Sequence, residues 1–112
     1  MLLGIKRIKL LRSSWYWLAH EVVRVCSEVV EVLEAYVFGS VIKGGVSGVS
    51  DLDILVVIPK GLNRDEVKVK IYEVLESRLG DLSYLIDLHV VNEDDVGKPP
   101  YSWFVREGIK VF

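Results

Sequence analysis

Residues 35–58 decide the fold. Ala35-Tyr36-Val37-Phe38 runs into Gly39-Ser40, a loop with Gly44, Gly45 and Gly48 follows, and the chain resumes as Ser50-Asp51-Leu52-Asp53-Ile54-Leu55-Val56-Val57-Ile58 before Pro59-Lys60-Gly61. The first run is short, apolar and stopped by glycine, as a buried strand entering a turn would be. Residues 41–50 are glycine-rich and read as a loop with one helical turn starting near Val41. Leu52 to Ile58 reads as a second strand. Side chains two apart on a strand share a face, so Asp51 and Asp53 project together, roughly 6.5–7 Å apart, while Leu52, Ile54, Val56 and Ile58 turn into a core. Two anions side by side repel unless a cation lies between them. Mg²⁺, which takes one or two carboxylates and fills its shell with water and phosphate, suits the pair. Ser50-Asp51 also reads as a turn-forming pair, and Asp-x-Asp alone does not decide between the two. Gly39-Ser40 offers the complement: a glycine that lets backbone approach a ligand, then a serine with an amide and a hydroxyl to donate.

Upstream, Trp15, Leu18, Ala19, Val22, Cys26, Val29 and Leu33 recur at three- and four-residue steps, predicting a helix from Ser13 to about Glu34 with Ser13 or Ser14 as cap. Downstream, Asn63 followed by Glu66 predicts a capped helix whose inner face is Val67, Ile71, Val74, Leu75 and Leu79, closed by Gly80. Ser83 to Val91 reads as a third strand. After Lys98-Pro99-Pro100, the tail from Trp103 reads as a short helix and then an edge strand, Ile109-Lys110-Val111-Phe112. The fold class is therefore α+β (α/β), a small mixed sheet of about three to four strands packed against helices. The 112 residues form one domain, with a basic segment over 1–12 and the core over 13–112.

Asp87 sits in Tyr84-Leu85-Ile86-Asp87-Leu88-His89-Val90-Val91, where nearly every neighbour is apolar. A carboxylate there is expensive to bury unless it binds metal, pairs with a lysine or accepts hydrogen bonds from a loop. Ile86, Leu88 and Val90 share one face, so Asp87 and His89 share the other. His89 is placed to contact a nucleotide or a metal ligand. His20, beside Glu21 on the long helix, reads as surface. Trp15, Tyr16 and Trp17 cannot all be buried by one helix face, and Trp103 and Phe104 add a second aromatic pair. Lys60, Arg64 and Lys68 read as solvated.

The net charge of −2 argues against a nucleic-acid partner. Lys6, Arg7, Lys9 and Arg12 crowd the start without an acid, and read as a solvated face or a contact for phosphate or an acidic protein. A single cysteine, Cys26, allows no internal disulfide and fits a reducing compartment. No signal peptide and no membrane-length apolar run is visible, so the expected location is cytoplasmic, with no membrane partner.

Phe38-Gly39-Ser40, then Gly44 or Gly45, then Ser50-Asp51-Leu52-Asp53-Ile54 together resemble the signature of the polymerase-beta-like nucleotidyltransferase superfamily. Size and spacing are most similar to its minimal nucleotidyltransferases (MNT), and the resemblance spans roughly residues 14–112, with Asp87 and Arg106-Glu107-Gly108-Ile109 included. It implies the nucleotidyltransferase core, with Gly39, Ser40 and Lys43 at the nucleotide, and Asp51, Asp53 and Asp87 as catalytic residues and ligands of two Mg²⁺ ions, ATP being the substrate. Asp87 would complete the catalytic metal site and help deprotonate the attacking hydroxyl. Lys43 stands where the family often has arginine, giving a point charge instead of a bidentate fork. The resemblance further implies AMP transfer to a hydroxyl of a helical HEPN-type toxin, this chain being the antitoxin in a homodimer or hetero-oligomer. The chain has no room for a second, acceptor-gripping domain, which points to a partner protein as acceptor. The alternative is a non-catalytic antitoxin of the same fold that acts by contact.

Overall fold

The computed structural model describes residues 4–112, and the part of the basic segment over 1–3 lies outside the described residues. Helix α1 spans Gly4–Val29, strand β1 Glu34–Phe38, the single-turn helix α2 Ser40–Lys43, β2 Leu52–Ile58 and α3 Arg64–Leu79. A 3₁₀ turn over Gly80–Leu85 leads into β3, Ile86–Asn92, followed by α4, Tyr101–Glu107, and β4, Ile109–Lys110. The strands order as β3-β2-β1-β4. β1 is antiparallel to β2 and β4, whereas β2 and β3 run parallel with Asp53 opposite Asp87 and Leu55 opposite His89.

Each face of the sheet is covered. Leu52, Ile54, Val56, Ile58, Ile86, Leu88 and Val90 join the main core under α1 and α3, where Leu11, Leu18, Val22, Ile71 and Leu75 are fully buried. Each such side chain contributes about 1.5–3 kcal/mol relative to exposure. On the other face Tyr36, Phe38, Leu55, Val57 and Val91 form a smaller cluster against Tyr101, Phe104 and Val105. Burial on both faces is why residues 54–58 are apolar without alternation.

Several boundaries differ from expectation: α1 ends at Val29, short of the expected Glu34, which instead opens β1, and β4 covers Ile109–Lys110 and not the whole run to Phe112. α1 begins at Gly4, nine residues before the expected Ser13, because the apolar stripe continues back through Leu11 and Ser13 needs no capping role: its hydroxyl donates to the Lys9 carbonyl at 2.6 Å. The stretch from Ser83 to Leu85 is not strand. Ser83 folds back, its hydroxyl donating to the Gly80 carbonyl at 2.7 Å, and β3 starts only at Ile86. Asn63 does cap α3, its side-chain oxygen accepting from the Asp65 and Glu66 amides at 3.1 and 3.2 Å. Gly80, at φ +56, closes it.

The free edge of β3 is held by Tyr72 of α3. Its hydroxyl donates to the Ile86 carbonyl at 3.2 Å and accepts from the Leu88 amide at 2.8 Å, so it straddles Asp87. At the far end Asn92 donates to the carbonyls of Pro59 and Leu62. Tyr16 and Trp17 both stand exposed on α1, Trp15 packs partly on the core, and exposed His20 lies against Tyr16. Among the described residues no helix is long and apolar enough to cross a membrane.

Candidate metal and nucleotide site

The site forms where the C-terminal end of β1 meets the N-terminal ends of β2 and β3. Parallel pairing in register sets Asp53 and Asp87 side by side on the face turned toward α4. His89, two residues on, shares that face, and its Nε2 lies 3.7 Å from Asp53 Oδ1 and 3.4 Å from Asp87 Oδ2. The imidazole is wedged edge-on against Phe38 and Phe104, with ring centroids 5.1 and 5.6 Å away, and these two phenyl rings stack at 4.0 Å. Its Nε2 is buried without a hydrogen-bond partner.

One ligand atom from each of Asp53, Asp87 and His89 falls within 4.8 Å of the others. A buried imidazole nitrogen without a hydrogen-bond partner, facing two carboxylates, fits a shared cation. Hard carboxylate oxygens suit Mg²⁺, and an imidazole also admits Mn²⁺ or Zn²⁺. The aromatic wedge fixes the ring that faces the carboxylates.

Gly39 abuts this group. Its φ of +83° is left-handed backbone, and a Cβ built there would run into the Asp53 carboxylate. Only glycine satisfies both constraints. The residue carries the chain from β1 into α2, whose first amides, those of Ser40 and Val41, have no acceptor within the helix. Gly108 is a second close approach, since a Cβ there would meet the carbonyls of Val37 and Phe104 at 2.8 and 2.6 Å. It seats α4 and β4 against β1, which explains a glycine at this point of the tail.

The remaining expected residues are placed differently. Asp51 lies just before β2, outside the close group, and its Oδ1 accepts from the Arg7 guanidinium at 3.2 Å. Burial raises its carboxyl above the usual range, Arg7 opposes that, and Asp87 and Asp53 add to it. Arg7 also donates to the Ser50 carbonyl and is only 13% exposed, so one member of the basic segment turns inward, whereas Lys6, Lys9 and Arg12 are exposed. The Lys43 ammonium pairs with Glu107 at 2.9 Å, linking α2 to α4. Arg64 and Lys68 are half-buried and not freely solvated. Arg7 is the residue that sequence reasoning missed, because 44 positions separate it from its partner and no local pattern joins them.

A family model described as a nucleotidyltransferase domain matches residues 20–110. The crystal structure of a candidate nucleotidyltransferase from Sulfolobus solfataricus is similar to this chain at 26% identity, covering 96% of this chain and 84% of its own, with a TM-score of 0.53. No curated protein matches the sequence. The matched span takes in β1, Gly39-Ser40, both aspartate-bearing strands and α4, and so carries the whole site: the chain belongs to the nucleotidyltransferase domain family, enzymes of nucleotidyl transfer.

Proposed function

We propose that the chain is a Mg²⁺-dependent nucleotidyltransferase that moves AMP from ATP onto a hydroxyl of a partner protein, as the antitoxin of a HEPN/MNT pair. The observation that carries this reading is the convergence of Asp53, Asp87 and His89 beside the left-handed Gly39. The backbone amides after Gly39 hold the triphosphate, and Lys43 adds charge at α2 once its ammonium leaves Glu107. Asp53 and Asp87 bind metal, with Asp51 as a further ligand once its carboxylate leaves Arg7. Mg²⁺, when bound, neutralises charge on the phosphates and lowers the pKa of the attacking hydroxyl. Asp87 receives the hydroxyl proton as the acceptor oxygen bonds to the α-phosphorus. The bond from that phosphorus to the β-phosphate bridging oxygen breaks, and pyrophosphate leaves. His89, fixed by its aromatic wedge, offers Nε2 to the same ion. The likeness to minimal nucleotidyltransferases supports a protein as acceptor.

Incubation with α-labelled ATP, Mg²⁺ and the product of the adjacent gene tests this. Wild type is expected to label that protein and Asp53→Asn to leave it unlabelled. Label that survives the substitution would remove Asp53 from the metal site. A tight complex without any label would replace the reading by inhibition through contact alone.

A further inference from the structure

Beyond His89 the sheet ends in a pocket that the reaction as described does not use. It has a volume of about 170 Å³ and is lined by Arg64, Asp65, Lys68, His89, Val90 and Tyr101. Arg64 and Lys68 stand four residues apart on α3 and so share a helix face. Among the described residues neither makes an ion pair. The Arg64 guanidinium instead lies 5.9 Å from the Tyr101 ring centre and 3.4 Å from its hydroxyl, which holds the planar fork in one orientation. Two cations and one acid of α3 thus line the cavity.

The order of strands gives this pocket a direction. Gly39 ends β1, Asp53 lies on β2, Asp87 and His89 on β3, and the pocket follows at the free side of β3. His89 is the common wall, with its Nε2 toward the carboxylates and its ring toward the pocket. A donor nucleotide seated at Gly39-Ser40 therefore occupies one end of the row, and whatever brings the acceptor hydroxyl approaches from the other. The volume decides the size of the guest. Sites for drug-sized ligands run from about 300 Å³ upward, so this one admits a side chain and not a second nucleotide.

We infer that the pocket binds an acidic side chain of the peptide segment that presents the acceptor hydroxyl, with its carboxylate on Arg64 and Lys68. The inference rests on the reading that the acceptor is a protein. In the pocket only Asp65 stands against the two cations, with Asp95 acting on Arg64 through space, and a carboxylate matches the guanidinium fork. It also sorts orientations: beside the anionic Asp53 and Asp87, an acidic flank is attracted only toward α3, which turns the neighbouring hydroxyl toward Asp87. A nucleic-acid backbone fits less well, because Asp65 lines the pocket and Asp53 and Asp87 lie on the other side of His89, where adjoining phosphates would meet them.

Amide NMR titrations of the full chain test the pocket and the donor site separately. The probes are Mg²⁺-ATP, a hexapeptide with tyrosine flanked by glutamates, the same peptide with glutamines, and a mixed-sequence RNA hexamer. The glutamate peptide is expected to shift Asp65, Lys68 and Val90 and to bind at least about tenfold tighter than the glutamine peptide. Arg64→Ala with Lys68→Ala is expected to erase that preference while Mg²⁺-ATP still shifts Gly39 and Ser40. Equal binding of the two peptides, a preference that survives the double substitution, or tighter binding by the RNA would overturn the inference. Loss of the Mg²⁺-ATP response with the peptide preference intact would count against the donor site and leave the pocket standing.

Discussion

The two faces of the sheet are built from alternate residues of the same strands, and they do different things. Ile54 and Leu88 point under α1 and α3, are fully buried, and meet only apolar neighbours. Asp53, Asp87 and His89, one residue away, point toward α4, where the apolar cluster is small and stops at Phe38 and Phe104. The first face gains free energy from water exclusion. The second gives some up, because two carboxylates stand in register beside an imidazole nitrogen that has no hydrogen-bond partner. A chain this short can afford such a cluster only because the opposite face supplies the stability.

That division can be broken residue by residue. Asp53→Asn is expected to lower nucleotidyl transfer more than about a thousandfold, a loss of about 4 kcal/mol in transition-state stabilisation, with a urea midpoint unchanged or raised as repulsion is relieved. Its neighbour gives the reverse pattern. Ile54→Ala should cost about 3 kcal/mol of stability in urea melts and leave transfer per folded molecule near wild type. Gly39→Ala joins the two faces in one phenotype: left-handed backbone and the Asp53 carboxylate both resist a Cβ, so stability should fall by about 1–3 kcal/mol while metal affinity, measured calorimetrically, also weakens.

The smallest effect sharpens the buried side alone. Burial pushes the Cys26 thiol up to about 12 from 9.0, and burial also raises the Tyr36 and Tyr72 hydroxyls. Since the unfolded thiol ionises first, its contribution is complete below about pH 9 and is lost as pH rises from there toward 12. Thermal melts should show stability falling across that window, less steeply in Cys26→Ala. Native protein at pH 8 should resist alkylation that the unfolded chain undergoes at once.

Local chemistry made much of this legible beforehand. The two-residue period of a strand put Asp51 with Asp53, and Asp87 with His89, on shared faces turned from the core, and Asn63 with Glu66 marked the start of α3. What eluded the sequence was either ambiguous in period or remote in chain. Ser83-Tyr84-Leu85 has the side chains of a strand, and the hydroxyl of Ser83 returning to Gly80, with the Ile86 amide donating to the Ser83 carbonyl, makes it a turn. The reach of Arg7 to Asp51, and the seat of Arg64 on Tyr101, join residues 44 and 37 positions apart, so tertiary packing alone reveals them. Which strand lies beside which is likewise a property of the folded sheet, and the contact between Asp53 and Asp87 depends on it.

The hydroxyl of Tyr72 has a consequence outside the site. A strand at the rim of a sheet is a template on which another chain can pair, and β3, with its run of valine and leucine, would be an efficient one. By taking the Ile86 carbonyl and the Leu88 amide for itself, Tyr72 removes two consecutive rungs from that template, and Asn92 anchors the loop across its far end. At the opposite rim β4 is two residues long. The sheet therefore terminates itself on both sides, and a protein that carries Asp87 of its site on an edge strand is protected against growing into a fibre through it.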